Sequence, residues 1–275
     1  MTSARNFLVR GLLAGIVAGL VAFGVAYLVG EPSVNDSIAI EESGGAAHDH
    51  AADDHTADDH AADDPAAESS TSDEPAATEV PRSLQSTAGL LTATLVAGVT
   101  LGGLVGVISA LALGRLGGLG VRGVTLSVAS MGFVSLYLLP YLAYPPNPPA
   151  VGHPDTIGMR SALYFIMVAI SIIAAVTAVL VGRKLANRWG GWYAMLAAIA
   201  GYLVVTVTAI ALLPTYNEVP ADFPATVLYQ FRRASLITQL ALWGSIAVIL
   251  GELLHRLQRR SHLEVIEPEY AEQSL

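Results

Sequence analysis

Six stretches of this chain are long and apolar enough to cross a bilayer, and that pattern excludes a soluble globular fold. A crossing needs about 20 predominantly apolar residues. The runs 7–30, 88–113, 121–144, 161–182, 192–214 and 234–255 each qualify. In hydrocarbon every backbone N–H and C=O must find a partner inside the protein, and a helix satisfies its own. The pattern predicts an all-α, polytopic integral membrane protein of about six transmembrane helices. Charge supports this by where it is missing: only 13% of residues are charged, against about 25% in a soluble domain.

The charges that exist are segregated. Of 23 acidic residues, 15 lie between 31 and 79, so the net charge of −9 is a property of one segment and says nothing of nucleic acid, which is not an expected partner. Basic residues set the expected orientation, because cytoplasmic loops carry the excess of Lys and Arg. With the N-terminus inside, the inner segments hold Arg5, Arg10, Arg115, Arg122, Arg183, Lys184, Arg188, Arg256, Arg259 and Arg260. The outer ones hold only Arg82, Arg160, Arg232 and Arg233. The reading is a multi-pass cell-membrane protein with both termini cytoplasmic. The first run follows Arg5 and includes Arg10, as a secretory signal would, but it is longer than a typical signal core and lacks a clean Ala-x-Ala site. It reads as a retained anchor.

Domain layout follows: a first transmembrane helix at 1–30, an extracytoplasmic acidic loop at 31–87, a five-helix membrane domain at 88–255 and a cytoplasmic tail at 256–275. The first helix carries Gly11, Gly15 and Gly19, the second Gly98, Gly102 and Gly106, each set on one helix face. Small residues let helix backbones approach closely in lipid, so the preferred reading is a seam between these two helices. A Gly-lined permeation path is the alternative. No ionisable residue lies near the middle of any span, although such residues usually mark ion pathways. The polar groups at depth are Ser127, Ser130, Ser135, Thr206, Thr208, Thr238 and Gln239, expected chiefly to bond helix to helix.

Within the acidic loop, His48, His50, His55 and His60 alternate with Asp53, Asp54, Asp58 and Asp59, the last three His at a spacing of five. Segment 43–79 has almost no large apolar side chain and is expected to be disordered. Imidazole and carboxylate together suit divalent transition metals, and with no cysteine in the chain any site must use N and O donors. The tract reads as a weak metal-collecting tether; the plainer alternative is a solvated acidic linker.

Two later loops, 145–160 and 215–233, are rich in Pro and expected to be stiff. Each follows Leu-Leu-Pro (138–140 and 212–214) and each closes on Arg. They carry Pro-Pro-Asn-Pro-Pro-Ala-Val-Gly (145–152), Asp-Thr-Ile-Gly-x-Arg (155–160), Glu-Val-Pro-Ala-Asp-Phe-Pro-Ala (218–225) and Phe-Arg-x-Ala-Ser-Leu (231–236), with Trp243 beyond. In these motifs, and in the opening of the first helix from Arg10, the chain resembles the CbtA-type probable cobalt transporter subunits. The resemblance implies a polytopic membrane subunit for cobalt uptake serving cobalamin synthesis. It also implies a small single-span partner with a His-rich end, called CbtB, and five spans where hydropathy counts six. The loops offer His153, Asp155, Glu218 and Asp222 as metal ligands should they converge. Alternatively Asp155 and Asp222 cap turns, and Arg160, Arg232 and Arg233 pair with lipid phosphate or with these acids.

The only lysine, Lys184, follows no Gly-rich phosphate loop, so the chain is not expected to hydrolyse nucleotide. No hydrolase or phosphotransfer motif argues for an enzyme. No tightly bound cofactor is expected beyond a transported or weakly held divalent metal: cobalt first, nickel or zinc as alternatives. The reading is a membrane subunit of a divalent-metal uptake transporter; the runner-up is a non-transporting scaffold or sensor that binds metal and docks a partner. Membrane lipid is the surrounding partner in either case. If the tether collects metal, replacing His48, His50, His55 and His60 with Ala lowers metal uptake chiefly at low metal concentration; equal uptake at every concentration removes the tether from the mechanism.

Overall fold

The structure, a computed structural model, describes residues 4–52 and 81–273, with side chains for 4–43, 81–153 and 155–259. Among the described residues there is no strand. Helix α1 (Ala4–Val25) passes through a π-helical turn (Ala26–Gly30) into α2 (Glu31–Ala52) without a break. A short helix α3 (Arg82–Leu84) and a second π turn (Gln85–Gly89) lead into α4 (Leu90–Ala112). Next come α5 (Val121–Phe133), a third π turn (Val134–Leu138) and α6 (Leu139–Ala143). After a single 3-10 turn (Pro154–Thr156) come α7 (Ile157–Leu212) and α8 (Ala225–Gln273).

The tightest contact is the one the glycines prescribe. α1 and α4 run antiparallel, with Gly11 against Gly102, Gly15 against Gly98, Gly19 against Thr94 and Phe7 against Gly106. A Cβ added at Gly15 would fall inside the Gly98 carbonyl, and one added at Gly98 would lie 2.9 Å from Gly19 Cα. No passage remains between these faces, which decides for the seam and against a Gly-lined path. Every glycine of the two sets is buried.

α8 lies across this pair and α5 closes the bundle. Their shared core holds Phe7, Ala14, Ala18, Val105, Val124, Leu242, Trp243, Ile246 and Leu250. Gly132 admits the Trp243 ring, whose nearest atom would lie 2.5 Å from a Cβ placed there. At the far end of the bundle Arg122 of α5 pairs with Glu252 of α8, 2.5 Å away, and Glu252 also takes Arg256 at 2.8 Å. α1 contributes seven buried residues to this assembly, so it is an integral bundle member.

α7 is two helices in one. Gly190, at φ 78°, takes a left-handed conformation that costs glycine little, and the chain turns back there. The limbs 157–189 and 191–212 then pack side by side: the Ser171 hydroxyl meets the Tyr202 hydroxyl at 2.8 Å, and a Cβ on Gly182 would touch that of Ala198. Among the described residues five continuous apolar helices are thus long enough to cross a membrane, and the 56-residue fourth of them supplies two limbs. The sequence reading splits this stretch into two runs, 161–182 and 192–214, where the structure has one 56-residue helix kinked at Gly190.

The segment after residue 30 departs from the expected loop. Helix continues to Ala52, and its first turns lie on α8 with Ser33 and Ser37 fully buried. Their hydroxyls donate to the Gly30 and Ser33 carbonyls at 2.8 Å each, which lets polar side chains sit in a dry contact. Arg82 clamps this extension by pairing with Glu31 and donating to Asn35. A Gly15→Leu substitution is expected to destabilise the bundle by about 1–3 kcal/mol or more through overpacking. Gly24→Leu, where nothing lies within 4 Å, is expected to be near neutral. Unfolding midpoints in a denaturing-detergent titration of the purified protein measure both.

Candidate functional site

The Pro-rich loops meet at one end of the bundle and enclose a cavity of about 460 Å³. Pro fixes their backbone, and a few side chains tie them together. Tyr144 donates to the Pro214 carbonyl at 2.9 Å, and Tyr141 to the Arg232 carbonyl at 3.2 Å. Arg232 reaches back to the first loop, donating from Nε to the Pro146 carbonyl at 3.3 Å and from Nη2 to Asn147 Oδ1 at 2.9 Å.

Glu218 is the second tie. Its carboxylate accepts the His153 backbone N–H at 3.0 Å and pairs with Arg160 Nη1 at 3.3 Å, with its side chain only 9% exposed. The Thr156 hydroxyl, which donates to the His153 carbonyl at 2.9 Å, also stands beside this carboxylate. Thr156 first, then the His153 amide and the Arg160 charge, hold the Glu218 carboxyl below its usual 4.5. Gly152, at φ 115°, makes room for the guanidinium: a Cβ there would lie 2.5 Å from Arg160 Nη1.

The four loop residues expected as ligands do not form one cluster. His153 and Glu218 are brought together, but through the His153 amide, and the imidazole-bearing residue is exposed. Asp155 lies exposed in the 3-10 turn, and Asp222 is exposed in the turn closed by the Phe223 N–H on the Pro220 carbonyl at 3.1 Å. Among the described residues no three His, Asp or Glu come close enough to hold a metal ion. His48 and His50 fall in the last turns of α2, while Asp53, Asp54, His55, Asp58, Asp59 and His60 lie outside the described residues. Of the three arginines, Arg160 pairs with an acid, Arg232 binds the first loop, and Arg233 lies over the Tyr229 ring at 5.8 Å.

A second cavity, about 640 Å³, opens toward the opposite end between α5 and the α7 hairpin. Its walls are chiefly apolar, with Ser127, Ser130, Ser135 and Tyr202 as polar points and Arg115 and Arg183 at its rim. Ser135 is only 5% exposed and sits in the third π turn. Pro140 has no N–H to offer the Leu136 carbonyl in that turn, and Tyr164 donates to it instead, at 3.4 Å. Tyr164 lines the first cavity and Tyr202 the second; Met167 and Ser171, both fully buried, lie between them along α7. The serines were legible as polar residues at depth. Arg160 and Arg232 as loop ties, and the Tyr202–Ser171 bond, needed the fold, since no local pattern couples residues so far apart.

Apolar limbs packed through small residues, with polar ties gathered mostly in the loops and cavities at both ends, define a multi-pass helical membrane protein. The chain belongs to the CbtA family, described as probable cobalt transporter subunit, which matches residues 4–255. It matches no curated protein and no solved structure. The family match takes in both Pro-rich loops and the glycine seam.

Because the folded-state pKa of Glu218 is depressed, its contribution to loop docking is present above the unfolded value and lost as pH falls through the folded one. Hydrogen exchange of the 145–160 loop should therefore accelerate on acidification below about 4.5, and Glu218→Gln should remove most of that pH dependence. An unchanged pH profile in the variant would show that another group holds the loops.

Proposed function

We propose that this protein is the membrane subunit through which a divalent metal ion, cobalt first among candidates, enters the cell to supply cobalamin synthesis. One observation supports a path most directly: the two cavities flank the same limb of α7 from opposite ends, with the buried Met167 and Ser171 on the stretch of that limb between them. In this reading the Pro-rich loops face outward, both termini are cytoplasmic, and Ser127, Ser130 and Ser135 line the inner half of the path. The His/Asp tract gathers metal outside. A small single-span, His-rich subunit of the CbtB kind is the proposed partner.

The membrane potential suffices as a driving force. A divalent cation moving inward gains about 4.6 kcal/mol per 100 mV, twice the single-charge value, or roughly a thousandfold accumulation. Radiolabelled cobalt entry into proteoliposomes holding this chain, with an inside-negative potential imposed, is expected to saturate and to collapse with the potential. Entry only after the single-span partner is added would make the chain one half of a complex. No entry in either case would favour the scaffold or sensor reading, which the closed α1–α4 seam and the uncharged middle of the spans also suit.

A further inference from the structure

We infer that the cavity between the Pro-rich loops is a binding site for a small dicarboxylate, and that the bound carboxylate, not the protein alone, makes this mouth attractive to a divalent cation. The inference deepens the transport reading and rests on it for the metal, while carboxylate binding stands without it.

The charges lining the cavity have the wrong sign for a bare cation. Arg160 and Arg232 face one acid, Glu218, leaving one net positive charge. Glu218 is spent on Arg160, the His153 amide and Thr156. Arg232 has no acidic partner among the described residues, and its Nη1 remains open after Nε and Nη2 bind the first loop. Arg160 Nε is buried with no hydrogen-bond partner. A buried guanidinium N–H left unpaired is costly, and such groups usually mark a place for a missing acceptor.

The neutral lining groups are donors too. Asn147 spends its carbonyl oxygen on Arg232, which leaves its amide N–H groups to the cavity. Asn217 and Tyr216 add an amide and a hydroxyl on the exposed rim. Two guanidinium groups ringed by amide donors match planar carboxylates, which accept paired N–H bonds. A volume of about 460 Å³ accommodates a four-carbon dicarboxylate with water. Once bound, its two negative charges turn the net positive charge into a net negative one. Its outward oxygens, with the exposed His153 nearby, then supply the hard and borderline donors that the loops do not assemble by themselves.

The test uses the full chain in nanodiscs of phosphatidylcholine, with succinate, a weak metal ligand, titrated by calorimetry. Saturable binding is expected, weakened about tenfold or more in Arg232→Gln, the size of effect when one charge-assisted contact is lost. Because Arg232 also ties the loops, Asn217→Ala on the exposed rim serves as a second variant, expected to weaken binding several-fold in a protein whose unfolding midpoint is unchanged. Cobalt added next to a chain with His48, His50, His55 and His60 replaced by Ala, which removes the tract's own imidazole donors, should bind in the presence of succinate and not in its absence. No succinate binding, or binding indifferent to both variants, overturns the inference. So does binding abolished by phosphatidylglycerol in the disc, which would assign the cavity to a lipid headgroup. Loss of cobalt flux with succinate binding intact would retire only the transport reading; cobalt flux with no succinate binding would retire only this one.

Discussion

In lipid, one apolar helix gains nothing from water by touching another, so a bundle must be held by close packing or by polar bonds. Here close packing does it. The Gly11, Gly15 and Gly19 face and the Gly98, Gly102 and Gly106 face bring two backbones together along most of their length. Dispersion between backbones at that range replaces the hydrophobic drive. α8 then rests on the pair, α5 rests on α8, and the Pro-rich loops inherit their positions from the ends of these helices. A wider α1–α4 separation would move α8, and with it Arg232, away from the first loop.

The α7 hairpin has a different character. It packs on α6 and the third π turn and leaves much of its surface open. Both cavities lie against it, with the buried Met167 and Ser171 on the stretch of α7 between their linings. A tightly sealed four-helix core thus stands beside a lightly packed hairpin. The ion pairs stand apart from both, at the two ends: Arg82 with Glu31 and Arg160 with Glu218 at the loop end, Arg122 and Arg256 with Glu252 at the other. Water can reach them there, which spares the cost of burying charge in hydrocarbon.

Much of the bundle was legible in the chain itself. The glycine spacing pointed to the α1–α4 seam, and hydropathy located the apolar helices. The acidic segment was less legible. Its first turns carry Glu31, Asn35 and Asp36, which read as loop, yet Ser33 and Ser37 let the helix continue against α8. The loop residues were legible as important but not in their roles. Glu218 reads as a cation ligand because a carboxylate suits a metal, but the fold places Arg160 beside it.

The difference has one physical cause. Hydropathy and small-residue periodicity are local properties: they act within a single helix or between helices adjacent in the chain, so the sequence by itself determined the apolar helices and the seam. The sign of the field in the loop cavity depends on side chains drawn from 144–165 and 216–232, whose order in the chain says nothing of which donor faces which acceptor. Only the tertiary structure decided that Glu218 is neutralised, that Arg232 faces the cavity without an acid, and that the two cavities share one limb of α7.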